Sequence, residues 1–213
     1  TDYKTIKEVF DMAKEKYADN IFMLEKFNPK GNFTEITYKE FANDVIALGT
    51  ALTKKYNLKN ERVVIIGENT YNWYVSYMAM LCGVGIAVPV DKELPVNEIE
   101  NVIKRSKATA VIYSTKKADV IKKVEDKLPQ VKYFIQMNSE DKLVGFNTIV
   151  EQGKEMVASG DSSFTKIEID PEEFKVLIFT SGTTSNSKGV MLCNRNLAQN
   201  INAVNPYVKI HEA

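Results

Sequence analysis

The sequence predicts an α/β fold: a doubly wound, mainly parallel sheet flanked by helices, preceded by an N-terminal helix and a β-hairpin. Three observations carry that expectation. From residue 61 onward, short β-branched runs alternate with single amphipathic helices, the pattern of βαβ units. Ahead of that point, two helix-start signals bracket two extended runs joined by a turn cluster. The composition, 44% hydrophobic and 26% charged over 213 residues, is that of a globular chain with room for one large domain or one and a part.

Thr5-Ile-Lys-Glu8 is a capping box, and Val9, Phe10, Ala13 and Tyr17 follow on one helical face. Ile21–Phe27 and Phe33–Thr37 flank Asn28-Pro-Lys-Gly-Asn32, which reads as a hairpin. Thr37-Tyr-Lys-Glu40 is a second capping box and leads a helix carrying Phe41, Val45, Leu48 and Leu52. The βα alternation then begins with strand Arg62–Gly67, a helix over 72–82 and strand Ile86–Val90. Pro95 opens a helix with Val96, Ile99, Val102 and Ile103, followed by strand Ala110–Tyr113. The spacing of Ile121, Val124 and Leu128 predicts one helix over 116–128, and Tyr133–Met137 is a further strand. Residues 147–158 read as helical, 159–171 as a loop or linker, and Val176–Thr180 as a final strong strand. The chain thus divides into a helix–hairpin–helix segment (1–60), βα units (61–158) and a last strand with its trailing segment (172–213).

Several function classes drop out. Lys+Arg and Asp+Glu both number 28, so the net charge is zero, and bulk attraction to nucleic acid is not expected. Only Arg62, Arg105 and Arg195 are arginines. Cys82 and Cys193 have no metal-ligand spacing, which argues against zinc or a disulfide framework and for a reducing, cytoplasmic setting. His211 is the single histidine and sits near the end, so a histidine-based nucleophile pair is not expected. Residues 69–90 are uncharged, but Asn69, Asn72, Ser76, Gly83, Gly85 and Pro89 interrupt them, so they read as a buried helix and strand and not as a transmembrane segment.

The chemistry concentrates in Thr180-Ser-Gly-Thr-Thr-Ser-Asn-Ser-Lys-Gly189, directly after the last strong strand. Hydroxyls and backbone N–H groups can donate to anion oxygens, glycine lets the backbone approach, and Lys188 adds a mobile charge. A polyphosphate is the natural ligand; a solvated Ser/Thr-rich loop is the plainer reading of the same composition. The run is not a Walker A loop, because Ser187 and Gly189 stand where glycine and a magnesium-binding hydroxyl are required. Nor is Gly83-Val-Gly85 a dinucleotide fingerprint, since it follows a helix.

Phe179, Thr180, Ser181, Gly182, Thr183, Thr184, Lys188, Gly189 and Val190 resemble the phosphate-binding signature of the adenylate-forming superfamily, Thr-Ser-Gly-Ser/Thr-Thr-Gly-x-Pro-Lys-Gly-Val. Ser185 replaces the pattern's glycine, Ser187 its proline, and Cys193-Asn194 a common Ser/Thr-His pair. Residues 63–91 resemble the family's first αβ units, and the ending Pro89-Val90-Asp91 with the following Lys-Glu-Leu-Pro95 looks most like long-chain fatty acid–CoA ligases. The resemblance implies an acid–CoA ligase that uses ATP, Mg²⁺ and coenzyme A as substrates, with a carboxylic acid as the third partner. It implies that Thr180, Ser181, Gly182, Thr183, Thr184 and Lys188 hold the ATP phosphates, with no catalytic or metal-binding residue here. It covers only the first part of the family's large N-terminal domain: no Tyr-Gly-x-Thr-Glu and no ribose-binding Asp follow the run. The chain is therefore expected to be a fragment that is inactive alone. Leu197, Ala198, Ile201 and Val204 are expected to be exposed or to pair with a second copy. The alternative is a non-catalytic α/β domain that binds an anion or nucleotide.

Overall fold

The computed structural model describes residues 2–139, 141, 145–180 and 187–207. Ser181, Gly182, Thr183, Thr184, Ser185, Asn186 and His211 lie outside them.

Both capping boxes form. Helix α1 (Ile6–Lys16) begins with the Glu8 N–H donating to Thr5 Oγ1 at 3.2 Å while the Glu8 carboxylate accepts from the Thr5 backbone. Thr37 and Glu40 make the same exchange at the start of α2 (Tyr38–Lys54). Each cap satisfies two of the orphan donors at a helix N-terminus. Between the helices, β1 (Ile21–Glu25) and β2 (Thr34–Thr37) pair antiparallel as a separate two-stranded sheet. Phe22 stacks on Phe41 with centroids 4.0 Å apart, which docks the hairpin onto α2.

The main sheet contains β3 (Arg62–Ile66), β4 (Ile86–Val90), β5 (Ala110–Tyr113), β6 (Tyr133–Gln136), β7 (Phe174–Thr180) and β8 (Lys188–Cys193), in the order β6-β5-β3-β4-β7-β8. All neighbours run parallel except the β7–β8 pair. The βα-unit strands expected to share a parallel sheet do so. Helices α1, α2, α3 (Tyr71–Ala79) and α6 (Phe146–Ala158) pack on one face; α4 (Val96–Ser106) and α5 (Ala118–Val124) pack on the other. The doubly wound expectation therefore holds.

Helix α6 crosses α2 very closely. A Cβ on Gly153 would lie 1.8 Å from the Ala47 carbonyl oxygen, so only glycine permits this approach. Helix α3 loosens into a π-helical turn (Met80–Val84) that ends where Gly83 adopts φ 151°. The helix-breaking role assigned to that glycine is thereby realised. No helix among the described residues is long and apolar enough to cross a membrane.

The structure corrects or completes the sequence reading at four places. The helix over 116–128 is interrupted: 3₁₀ turns at Thr115–Lys117 and Glu125–Lys127 flank α5. The second turn tightens the chain so that Leu128 enters the core beside Ile121 and Val124. Residues 159–171 form a loop but no slack linker, because Phe164 is 2% exposed and its ring lies over Gly49 and Gly83. Residues 188–193 form an antiparallel edge strand that the sequence reading leaves unassigned. Finally, Ala198 in α7 (Asn194–Val204) is fully buried. Helix α7 turns that residue inward and is tied to the chain's start, where Asn202 bonds Asp2 and both backbone groups of Tyr3. Leu197 is half-buried, whereas Ile201 and Val204 are exposed as expected.

Candidate functional site

The hydroxyl- and glycine-rich run connects β7 to β8, and the register of that pair sets its mouth. Thr180 lies opposite Lys188, and Phe179 opposite Gly189. The Thr180 hydroxyl points across the pair toward the Lys188 carbonyl oxygen at 3.5 Å, at the limit of a hydrogen bond. Thr180 and Lys188 are both at the surface. Of the six expected phosphate-binding residues, the structure thus brings Thr180 and Lys188 face to face. Ser181, Gly182, Thr183 and Thr184 fall outside the described residues.

The strands are rooted differently from the run they carry. Val176 and Leu177 in β7 are buried, one in each core, while β8 is exposed along its first four residues. Lys175, one position into β7, is only 2% exposed. Burial lowers its proton affinity, partly opposed by the Glu173 carboxylate at 3.7 Å. At the far end of β8, the Cys193 N–H donates to Asn196 Oδ1 at 2.9 Å, which caps α7. Arg195 pairs with Glu172 on the surface. Asn194 is fully buried, and neither side-chain amide atom has a hydrogen-bond partner among the described residues.

Arg105 is the residue near the run that the sequence reading counted but gave no role. From the last turn of α4 it reaches Ser187 and the face of Phe179. Its one advance signal was its rarity as an arginine among lysines.

Cys82 is buried beside Leu81 in the core and forms no disulfide. Burial pushes its thiol pKa well up, which removes it as a thiolate nucleophile. Among the described residues, no group of three His, Cys, Asp or Glu side chains is placed to hold a metal ion. Elsewhere, an apolar groove of about 530 Å³ lies between α1, α3 and α7, lined by Ile6, Val9, Met78, Leu81, Ile201 and Val204.

Comparison with known proteins bears on the family and the fold. The family model described as AMP-binding enzyme matches residues 10–212. The long-chain-fatty-acid–CoA ligase 5 of Rattus norvegicus is 30% identical over 95% of this chain and 31% of its own length. The chloroplastic long-chain-fatty-acid–[acyl-carrier-protein] ligase AEE15 of Arabidopsis thaliana is 22% identical over 98% of this chain and 30% of its own length. This chain therefore spans about a third of these relatives. Among solved structures, a long-chain-fatty-acid-CoA ligase (FadD1) from Archaeoglobus fulgidus superimposes with a TM-score of 0.79 at 20% identity, covering 94% of this chain and 38% of that one. The anthranilate CoA ligase AuaEII in complex with anthranoyl-AMP gives 0.74 at 19% identity, covering 96% and 38%.

Proposed function

The chain belongs to the AMP-binding enzyme family, and on that premise we propose that it is the phosphate-gripping N-terminal part of an ATP-dependent fatty acid–CoA ligase. The observation that carries this reading is the pairing of β7 with β8, which sets Thr180 against Lys188 at the mouth of the hydroxyl run. In this reading a fatty acid carboxylate attacks the α-phosphorus of Mg-ATP. The bond to pyrophosphate breaks and acyl-AMP forms. The coenzyme A thiol then displaces AMP. The developing demand is negative charge on the leaving pyrophosphate, and the protein meets it with positioned donors and a cation. Thr180, Ser181, Gly182, Thr183 and Thr184 hold phosphate oxygens through hydroxyls and N–H groups. Lys188 is the mobile counter-charge. None of these residues is a nucleophile or a general base, and Mg²⁺ arrives with the nucleotide as substrate.

The fatty acid assignment is supported by the names of the relatives, and a reducing cytoplasmic location by the two free cysteines. The chain by itself is expected to lack acyl-adenylate formation, since phosphate contacts alone must offset an immobilisation cost of about 4 kcal/mol or more. Its affinity for ATP is then no better than roughly millimolar. Exposed Ile201 and Val204, at the apolar groove, are the surface through which a second copy would associate.

The test is acid-dependent exchange of pyrophosphate into ATP, with a panel of fatty acids, for the full-length protein carrying this chain and for the 213-residue chain. Exchange in the first and none in the second is the expected pair of results. No exchange in either, together with tight nucleotide binding, would favour the non-catalytic binding domain instead. Exchange by the short chain would overturn its expected inactivity.

A further inference from the structure

Ser187 stands where the family pattern carries proline, and the structure supplies a different restraint at that position. Arg105 Nη1 donates to the Ser187 hydroxyl at 3.0 Å, and Nη2 donates to the Ser187 carbonyl at 2.8 Å. The same guanidinium lies 5.2 Å from the centroid of the Phe179 ring. Phe179 and Ser187 are the two stems of the hydroxyl run: one is the penultimate residue of β7, the other immediately precedes β8. A single rigid, planar group thus touches both.

The chemistry suits arginine alone. Its fixed fork meets a hydroxyl and a carbonyl of one residue while its charge lies over an aromatic ring; a lysine ammonium is a point charge without that fork. The helix that presents it is firmly seated. Ile99, Val102 and Ile103 bury α4 against the sheet, and Arg62 donates to the carbonyl of Ser106, next to Arg105, at 3.0 Å. The clasp is therefore referred back to the core through a short path.

We propose that Arg105 is a positioning residue for the phosphate-binding run. It fixes the exit of the run from outside, through Ser187, so that Lys188 keeps its place opposite Thr180. A proline fixes the same point from within, by locking its own φ. Arg105 itself touches no substrate. The inference rests on the phosphate-binding reading of the run given above.

The experiment uses the full-length protein with Arg105→Ala, Arg105→Lys, Ser187→Pro and the double variant Arg105→Ala/Ser187→Pro. Pyrophosphate exchange gives kcat and the KM for ATP, and thermal unfolding is followed alongside. Arg105→Ala is expected to lower kcat on the order of tenfold, with KM changed less than about twofold and the melting temperature nearly constant. Arg105→Lys stays low, because the fork is lost. The double variant regains most of the rate, since proline restores the restraint; a merely structural arginine would show no such rescue. A kcat for Arg105→Ala within about twofold of wild type, or a double variant as slow as Arg105→Ala, overturns the proposal. If the wild-type protein shows no acid-dependent exchange at all, the ligase reading is what fails. The clasp is then judged in the chain itself by amide hydrogen exchange at whichever of Lys188 and Gly189 donates to β7. About tenfold faster exchange in Arg105→Ala supports it, and unchanged exchange overturns it.

Discussion

The block β3–β6 and the hairpin β7–β8 belong to one sheet but are held by different forces. In the block, Val63, Val64, Ile65, Ile66, Ala110, Val111 and Ile112 have no exposed surface, and helices cover both faces. In the hairpin, β7 begins in the core and ends exposed, while β8 carries Met191 at 63% exposure. The seam between the regions is thin in registered pairs. Strand β4 has five registered pairs with β3 but a single one with β7. Pro89, within β4, has no N–H to offer a ladder. The difference teaches that the residues proposed to carry chemistry sit where apolar burial is weakest, and that a few polar ties set their geometry. Stability and activity should therefore be separable by position.

The largest expected effect tests the packed side. Phe164→Ala should destabilise the protein by about 3–5 kcal/mol, because the ring fills the space over Gly49 and Gly83. Chemical denaturation measures it; a loss under about 1 kcal/mol would mean that the loop is not part of the core. The activity of whatever remains folded should be close to wild type.

The converse is Lys188→Ala at the edge. In the full-length protein, losing one charge-assisted contact of about 1.5–3 kcal/mol corresponds to roughly 10- to 150-fold in kcat. The effect should fall on kcat more than on the KM for ATP, with no change in unfolding midpoint. A kcat within twofold of wild type removes Lys188 from the mechanism.

Lys175 lies on the boundary and has a pH signature. Its proton affinity in the folded protein is below that of the unfolded chain, so the unfolded state binds more protons between the two values. Wild-type stability accordingly rises with pH across that window and falls as pH drops through the folded value. Lys175→Met removes the buried charge and leaves Glu173 partly solvated. The variant should be unchanged to about 2 kcal/mol more stable at neutral pH, and its advantage should shrink toward the ordinary lysine range. Urea midpoints at pH 7 and pH 10 decide this: an advantage that grows with pH contradicts the sign.

The smallest effect belongs to the surface pair. Glu172→Ala, which frees Arg195, should move the melting temperature by no more than about 1–2 °C. A larger shift would show that the edge depends on that ion pair, and that the contrast between the regions is overdrawn.

Much of this architecture was legible because its signals are local. The capping boxes read directly from Thr5/Glu8 and Thr37/Glu40. The block strands read from short apolar runs buried on both faces. The hydroxyl run announced itself through residue types that a core does not use. The parts missed depend on partners distant in sequence. Strand β8 is exposed over Lys188–Met191, so it lacks the alternation that marks a half-buried strand. Phe164 reads as one aromatic in a polar loop until Gly49 and Gly83 provide its pocket. Arg105 shows only its rarity until helix α4 brings it against residues 179 and 187. Asn194 could be noted as a departure from the family pattern, but its unpartnered burial could not.

The thin seam also sets an order of assembly. Strands β3 to β6 close their pairings within residues 62–136, each link spanning no more than two βα units. The hairpin must wait for a contact between Ala87 and Val176, which closes a much longer loop. As the chain leaves the ribosome, the block can complete itself while the edge of β4 stands bare. Pro89 makes that edge a poor template for the wrong strand during the interval. In pulse-labelled refolding, the amides of β3 and β5 should gain protection before those of β7 and β8; simultaneous protection would mean that the sheet forms in a single event.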